Sequence, residues 1–170
     1  MRISENQKAL QVWKTFELNI IYAGRAETGP EWRADNVCSP FSRLYFILKG
    51  EGLVHQGKGT LRLQKGGIYL IPAGLNFGYS CENYMEQLFF HVNVNGPNGM
   101  DFFRGCEDIL EKKDGERGAA LALELYESKR ISDAFRLEGL IWEMLSGFAE
   151  AEDLHEFPGQ NCSELIQRFF

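Results

Sequence analysis

Residues 43–77 read "RLYFILKGEGLVHQGKGTLRLQKGGIYLIPAGLNF", in which glycines recur at short intervals between runs of β-branched and aromatic residues. These glycines stand at positions 50, 52, 57, 59, 66, 67 and 74. Reversals of an antiparallel sheet need backbone angles that glycine adopts at the least cost. The last part, "GGIYLIPAGLNFGY" (66–79), predicts a turn, a short buried strand, a second turn and the start of another strand. The stretch therefore predicts a barrel or sandwich of short antiparallel strands.

Strand-like runs continue on both sides of this stretch. "FELNIIYAG" (16–24) precedes it and "YMEQLFFHVNV" (84–94) follows it, and within it the runs are 43–50, 59–66 and 67–74. A spacing of about ten residues between such runs is typical of a β-sandwich or barrel. The first half of the chain is therefore predicted to be one antiparallel unit of either kind.

The chain is predicted to turn helical after "NGPNG" (95–99), a cluster that breaks strands. We predict helices over 101–113, 118–129 and 131–152, with Ser132 as the N-cap of the last one. Its broad apolar face supplies the candidate dimerisation residues Phe135, Leu137, Leu140, Ile141, Met144, Leu145 and Phe148. Two interpretations stay open, because this face can pack on its own barrel alone or can also pair with its copy in a homodimer.

Composition excludes some function classes. A chain of 170 residues accommodates one packed domain. The net charge of -6 argues against a surface that neutralises DNA phosphates. The four cysteines are scattered, the first residues carry no apolar signal segment, and no apolar run approaches the ~20 residues of a membrane span. These features predict a reduced, cytoplasmic protein.

The glycine pattern and Pro72-Ala73-Gly74 resemble the cupin fold, a small antiparallel jelly-roll barrel with an open pocket. In metal-binding cupins two motifs supply histidines and a glutamate. Here the glutamate position is Arg43, the paired histidine positions fall among residues 37–39 (VCS), and the last histidine position is Phe77. A guanidinium is never deprotonated to serve as a metal ligand. The resemblance therefore implies the barrel without a metal, and we expect no cofactor.

A closer resemblance is to the N-terminal effector-binding and dimerisation domain of AraC-type transcription regulators. It is carried by "LYFILKGEG" (44–52), "LQKGGIYLIPAGLNFGY" (63–79), "EQLFFHVNVNG" (86–96) and the helix 131–152. The chain departs from the pattern at Gly67 and Phe77, where an acidic residue and a histidine are common.

The resemblance implies a division of the chain into three parts. Residues 1–96 would form a ligand-binding barrel with an N-terminal arm, and residues 97–154 a helical dimerisation segment. Residues 155–170 would begin a linker or helix toward a DNA-binding domain that this chain lacks. The apolar ending "CSELIQRFF" favours a longer parent protein, and DNA would be a partner only through that parent.

Alternation along strands assigns the pocket residues. If Arg43 points inward, Tyr45 and Ile47 share its face, and by the same rule Phe77 and Tyr79 point inward together. The resemblance adds residues of the strand 84–94 and an N-terminal loop residue that closes the pocket. The candidate ligand-binding residues are Arg43, Tyr45, Phe77, Tyr79, Gln87, Phe89, His91 and Trp32.

Directed polar groups on an aromatic lining suit a sugar or another small polar organic ligand. Two of these assignments have an alternative, since Arg43 can be a surface residue at a strand end and Trp32 an ordinary packed tryptophan.

Three functions remain open. The first is an effector-sensing and dimerisation domain of a transcription regulator, which is not an enzyme. The second is a stand-alone cupin enzyme, such as a sugar isomerase or epimerase, with His91 as a base. The third is a structural dimerisation barrel whose pocket is filled by its own aromatic rings.

Overall fold

A computed structural model describes residues 15–57, 59–97, 99–113, 115–152 and 154. The strands are β1 (Glu17–Thr28), β2 (Arg33–Cys38), β3 (Ser42–Gln56), β4 (Gly59–Gln64), β5 (Ile68–Ile71), β6 (Asn76–Ser80), β7 (Met85–Asn95) and β8 (Leu110–Lys112). Two helices follow, α1 (Glu116–Glu127) and α2 (Ile131–Ala151). The predicted class, mainly β with C-terminal helices, is confirmed. The first fourteen residues of the predicted arm and the predicted linker 155–170 lie outside the described residues.

The strands form two antiparallel sheets that share β3. The first sheet has the order β1-β7-β3-β5-β8. The far half of β3 pairs with β4 and β6, and β2 pairs with β6, which makes the second sheet. Because one strand of 15 residues crosses from the first sheet to the second, the two inner faces enclose a common interior.

Alternation on β3 and β7 divides the core into two clusters. Leu44, Phe46, Leu88 and Phe90 point away from the interior and pack with the buried faces of both helices. The intervening residues of β3, Tyr45 and Ile47, point inward toward the second sheet. The first sheet is thus the middle layer of the molecule, covered by helices outside and by the second sheet inside. The predicted facing of these strands is confirmed.

Helix α2 packs the centre of its apolar face against its own domain. Leu140, Ile141, Met144, Leu145 and Phe148 are buried in the cluster that joins the helices to the first sheet. Its first turn is different, since Ile131 is 77% exposed and Phe135 is 71% exposed.

The predicted helix over 101–113 is wrong. Residues 101–105 make a bridge and turns, and β8 follows as an edge strand whose Leu110 pairs with Leu70 of β5. The buried Asp101 carboxylate accepts hydrogen bonds from the backbone N–H groups of Val94 and Phe103 and from the Ser42 hydroxyl. These bonds, two of them local and one to the distant Ser42, fix the segment in a non-helical path.

One smaller expectation also fails. Helix α2 begins at Ile131 with Arg130 as its N-cap, so Ser132 lies inside the first turn and does not cap it.

One glycine of the opening stretch is required by close approach. Gly50 has a φ of +66°, and a Cβ there would lie 2.0 Å from the carbonyl oxygen of Tyr84. This contact lets β3 pass β7 closely at the point where the strand leaves the first sheet.

Candidate functional site

The interior between the two sheets gathers the candidate ligand-binding residues. Antiparallel pairing sets Arg43 opposite His91, Tyr45 opposite Phe89 and Ile47 opposite Gln87. Tyr45 and Phe77 are each 3% exposed within this interior cluster. The half-buried rings of Trp32, Tyr79 and Phe89 pack against the same cluster. The structure therefore places these residues around one interior, while ligand binding by them stays a prediction.

The Arg43 guanidinium lies between two aromatic rings. Its Cζ atom is 5.5 Å from the centre of the Phe41 ring and 5.4 Å from that of Phe77. Nη2 donates to the Ser39 hydroxyl over 2.8 Å, and Nη1 donates to the Tyr45 hydroxyl over 3.4 Å. The Nε–H is buried and has no hydrogen-bond partner. Arg43 is the second residue of β3 and is half-buried, with its Nε atom covered.

No acidic side chain neutralises this guanidinium in the described part of the chain. None of the ion pairs there, all of which join atoms within 4.0 Å, includes Arg43. The aromatic faces and the two hydroxyls stabilise the cation without cancelling its charge. The site therefore keeps a positive potential that an anion can use.

His91 lies beside Arg43 in an aromatic setting. Its ring stacks on Phe41 with centres 4.6 Å apart and also contacts Phe89 and Tyr22 at 5.4 and 5.9 Å. Burial and the charge of Arg43 lower the pKa of His91 to about 4. The imidazole is therefore neutral near pH 7 and offers one donor and one acceptor.

Three aromatic side chains connect Arg43 to the rim of the second sheet. The Phe77 and Tyr79 ring centres are 6.1 Å apart, and those of Tyr79 and Trp32 are 4.3 Å apart. Because Phe77 also contacts Arg43, the rings form one continuous wall. Trp32 lies in the loop between β1 and β2, as predicted, and its ring is part of this wall.

Gln87 supplies a second unsatisfied polar group. The residue is 3% exposed, and its Oε1 atom has no hydrogen-bond partner among the described residues. Desolvation of a polar atom without a partner is costly, so such atoms in native proteins are rare outside functional sites.

Three residues of this site are not among the candidates predicted from the sequence. Phe41 and Tyr22 contact His91 directly, and Gly24 lies opposite Phe89. A Cβ on Gly24 would be 2.8 Å from the Phe89 ring. A glycine inside a strand does signal close approach. Phe41 precedes β3 and has no strand alternation to indicate its direction. For Tyr22 the alternation is reset by a β-bulge between Ile20 and Tyr22.

The positions that would hold a metal in metal-binding cupins do converge in space. Val37 pairs with Phe77, and Arg43 contacts both Phe77 and Ser39. A ring, a guanidinium and a hydroxyl are not a donor set for a divalent cation. In the described ranges no group of three or more His, Cys, Asp or Glu residues is arranged to hold a metal ion.

An open depression of about 490 Å³ lies outside the barrel interior. It is bounded by the β4–β5 turn, β8 and the start of α1. Its cations are partly offset, since Lys65 pairs with Glu116 and Lys113 with Glu111. None of the predicted site residues lines this depression.

The model of the AraC-like ligand binding domain family matches residues 19–145. The chain belongs to this family. ToxT from Vibrio cholerae is similar in fold, with a TM-score of 0.52 and 13% identity over 81% of this chain and 57% of the ToxT chain. A structure of ToxT bound to (E)-4-(8-methylnaphthalen-1-yl)but-3-enoic acid is similar at 12% identity, a TM-score of 0.52 and the same coverage. The chain thus spans less than two thirds of ToxT.

A cupin-2 domain protein from Shewanella frigidimarina shows a weaker similarity, with a TM-score of 0.37 and 10% identity over 51% of this chain and 91% of that chain. No curated protein matches the chain. Neither of the two described helices is long and apolar enough to cross a membrane. The family match confirms the resemblance to AraC-type regulators and supports a ligand-sensing regulatory domain.

Proposed function

We propose that this chain is the small-molecule effector-sensing and dimerisation domain of a transcription regulator. The observation that carries the proposal is the unneutralised Arg43 guanidinium held inside the barrel among aromatic rings. Family membership supports the binding of a small molecule there. DNA would be contacted only by another domain of a longer protein in the cytoplasm.

The effector is a sugar or another small polar organic molecule. Aromatic faces pack against the apolar faces of such ligands, while a few polar side chains set their orientation. One ToxT structure is bound to an organic acid with a fused aromatic ring system, which supports a small organic molecule as the ligand proposed here.

Strand β7 provides a physical route from the ligand to the helices. Gln87, Phe89 and His91 face the interior, whereas Phe90 faces outward and its ring meets that of Tyr126 on α1, with centres 6.3 Å apart. Suppose that β7 and the helices packed on it have two arrangements. A ligand that binds one arrangement more tightly shifts the equilibrium between them by the difference in binding free energy.

The homodimer proposal is supported by the exposed first turn of α2. Ile131 and Phe135 are large apolar side chains on the surface, whereas the central apolar residues of the helix are already buried within their own chain. A second copy would therefore contact the start of this helix, with Leu137 at the margin of the contact.

A structural dimerisation barrel is the second candidate function. It is favoured by the burial of Phe77 and Tyr45, which fill part of the interior. The stand-alone enzyme has less support. Burial and the charge of Arg43 lower the pKa of His91, which makes the ring a weak base, and no described carboxylate orients the ring as a general base would need.

The experiment is a thermal melting screen of the domain with neutral sugars, sugar acids and small organic acids. A ligand present at 100 times its Kd stabilises the folded state by about 2.7 kcal/mol, which raises Tm measurably. If no compound of the screen raises Tm while the dimer persists in sedimentation, the structural barrel replaces the sensor.

Dimerisation is tested separately by sedimentation of Phe135→Asp. We expect this variant to be a monomer, because it places a charge on the exposed apolar turn. Glu143→Gln, also on an exposed part of α2, is the matched control and should leave the association unchanged. A Phe135→Asp dimer as stable as the wild type would refute this interface.

A further inference from the structure

We infer that the effector is an organic monocarboxylate, that its carboxylate binds the Arg43 guanidinium, and that its ring-shaped body carries an O–H or N–H donor. The inference rests on the proposed function, because it names the chemical class of the molecule that the same barrel interior senses. It also selects one class from the sugars and small polar molecules that the sequence allows.

The free donor of Arg43 calls for an anion. Its Nε–H is buried without a partner, and the contact of Nη1 with Tyr45 is long at 3.4 Å. A carboxylate accepts two parallel N–H bonds from a guanidinium edge, which no neutral sugar hydroxyl can do. The short bond of the guanidinium goes to the Ser39 hydroxyl and leaves the Nε–H without a partner in the described part of the chain.

The charge of the site selects a monoanion. Among the described residues, Arg43 is the one cation in contact with the rings of Phe41 and Phe77, and its neighbour His91 is neutral near pH 7. Burial raises the pKa of Tyr45, so this hydroxyl is also neutral. A phosphate dianion would leave one negative charge uncompensated in a site of low polarity, whereas a single carboxylate is matched by a single guanidinium.

The second polar group fixes what the rest of the ligand must offer. Gln87 lies opposite Ile47, which is four residues further along β3 than Arg43. At the rise of a β-strand, the Cα atoms of Arg43 and Ile47 are about 13 Å apart. Arg43 and Gln87 lie on the same face of the sheet with Tyr45 and Phe89 between them, so a ligand that reaches both polar groups packs against those two rings. The unpaired Oε1 of Gln87 accepts a hydrogen bond, and the ligand must therefore supply a donor at that end.

The aromatic rings that contact Arg43 and His91 explain why the ligand should contain a ring. The Phe41 and Phe77 rings contact Arg43, and the Phe41, Phe89 and Tyr22 rings contact His91. A sugar acid or a hydroxylated aromatic acid packs a flat apolar face on such rings while its carboxylate and donor remain at the two polar ends.

The test follows the Arg43 Nε–Hε resonance by NMR during titration with two acids, D-glucuronate and 4-hydroxybenzoate. The resonance is assigned by its loss in Arg43→Lys. At least one acid should shift it saturably at concentrations up to about 20 mM, where binding of even a few kcal/mol is detected. The matching neutral amides, D-glucuronamide and 4-hydroxybenzamide, should not shift it, and the Nε–Hε of the exposed Arg62 should stay in place throughout.

Variants give the second readout. Arg43→Gln should weaken binding of the responding acid by at least about tenfold, as expected for a hydrogen bond to a charged group. Arg62→Gln should bind it like the wild type, and the far-UV circular dichroism of both variants reports their folding. Arg43→Lys, which keeps the charge and loses the fork, should lie between Arg43→Gln and the wild type.

The inference is overturned if neither acid moves the Arg43 resonance, if the amides move it equally, or if D-glucose 6-phosphate binds more tightly than D-glucuronate. When neutral sugars raise Tm and the acids do not, only the carboxylate assignment fails and the sensing function stands. When none of these compounds binds, both fail together.

Discussion

Replacing Glu86 by glutamine tests the charge network that ties the barrel to helix α1. The Glu86 side chain is 1% exposed on β7. Arg25 of β1 donates to its Oε1 from Nε over 2.8 Å and from Nη2 over 2.5 Å, and Lys49 of β3 lies 2.7 Å from its Oε2. Arg25 also pairs with Glu127 near the end of α1 over 2.6 Å. One carboxylate therefore links three strands directly and a helix through Arg25.

The expected loss is modest, because the cationic partners reach solvent. Hydrogen bonds to charged groups contribute about 1.5–3 kcal/mol each when they are well shielded. Arg25 is 37% and Lys49 63% exposed, so water screens these contacts and both cations stay solvated after the change. Because glutamine keeps the shape and one acceptor, Glu86→Gln should cost about 1–2 kcal/mol. For a chain of this length that lowers Tm by about 2–8 °C.

The pH dependence identifies the cause. The hydrogen bond from Lys49, and then those from Arg25, hold the pKa of Glu86 below its ordinary value of 4.5, against the opposing effect of burial. The stability that the carboxylate contributes is therefore complete above pH 4.5 and is lost as the pH falls through the lower pKa of the folded state. The difference in Tm between wild type and Glu86→Gln should shrink over the same range.

The assay is thermal unfolding by circular dichroism between neutral and acidic pH. The matched control is Glu51→Gln, which removes a carboxylate from the exposed pair with Arg62 and should change Tm little. The reasoning is refuted if both variants lose the same stability at neutral pH. It is equally refuted if the loss in Glu86→Gln persists after the carboxylate has been protonated.

Three further outcomes are expected. Gly24→Ala should cost about 1–3 kcal/mol in urea unfolding, because the new Cβ meets the Phe89 ring at 2.8 Å, and Phe89→Leu in the same chain should recover part of it. Gly50→Ala should cost about 3 kcal/mol or more, since its Cβ would lie 2.0 Å from a backbone oxygen, whereas Gly57→Ala, with a similar positive φ and open space, should cost less than half as much. His91 has a folded pKa of about 4 against an ordinary 6.5, so its contribution to stability should fall as the pH drops from 6.5 to 4, and His91→Gln should flatten that part of the Tm profile.

The barrel and its facing could be predicted because the signals are local. Gly57, Gly66 and Gly74 lie in turns as predicted, but the predicted reversals at Gly50 and Gly52 are wrong, because β3 continues through both to Gln56. Period-two alternation separates Tyr45 and Ile47 from Leu44 and Phe46 without knowledge of any partner strand. Helix α2 is predicted for the same reason, since its apolar period is contained within its own residues.

The contents of the site were less predictable. The cupin resemblance implied that Arg43 and Phe77 face inward, and alternation added Tyr45, Ile47 and Tyr79. The contacts of Arg43 with Phe41 and Ser39 depend on a loop whose path no local pattern records. Gln87 was a candidate by resemblance, and only the packed structure shows that its Oε1 atom lacks a partner.

The sequence alone determined where the chain reverses and which side chains share a face, because both depend on the geometry of a few neighbouring residues. Tertiary structure decided what each face meets. It turned residues 101–113 from a predicted helix into turns and an edge strand, and it covered Leu140 and Ile141 with the chain's own barrel while Phe135 stayed exposed. Burial and hydrogen-bond partners come from residues far apart in the chain, so the same apolar or polar pattern fits several partners until the fold selects one.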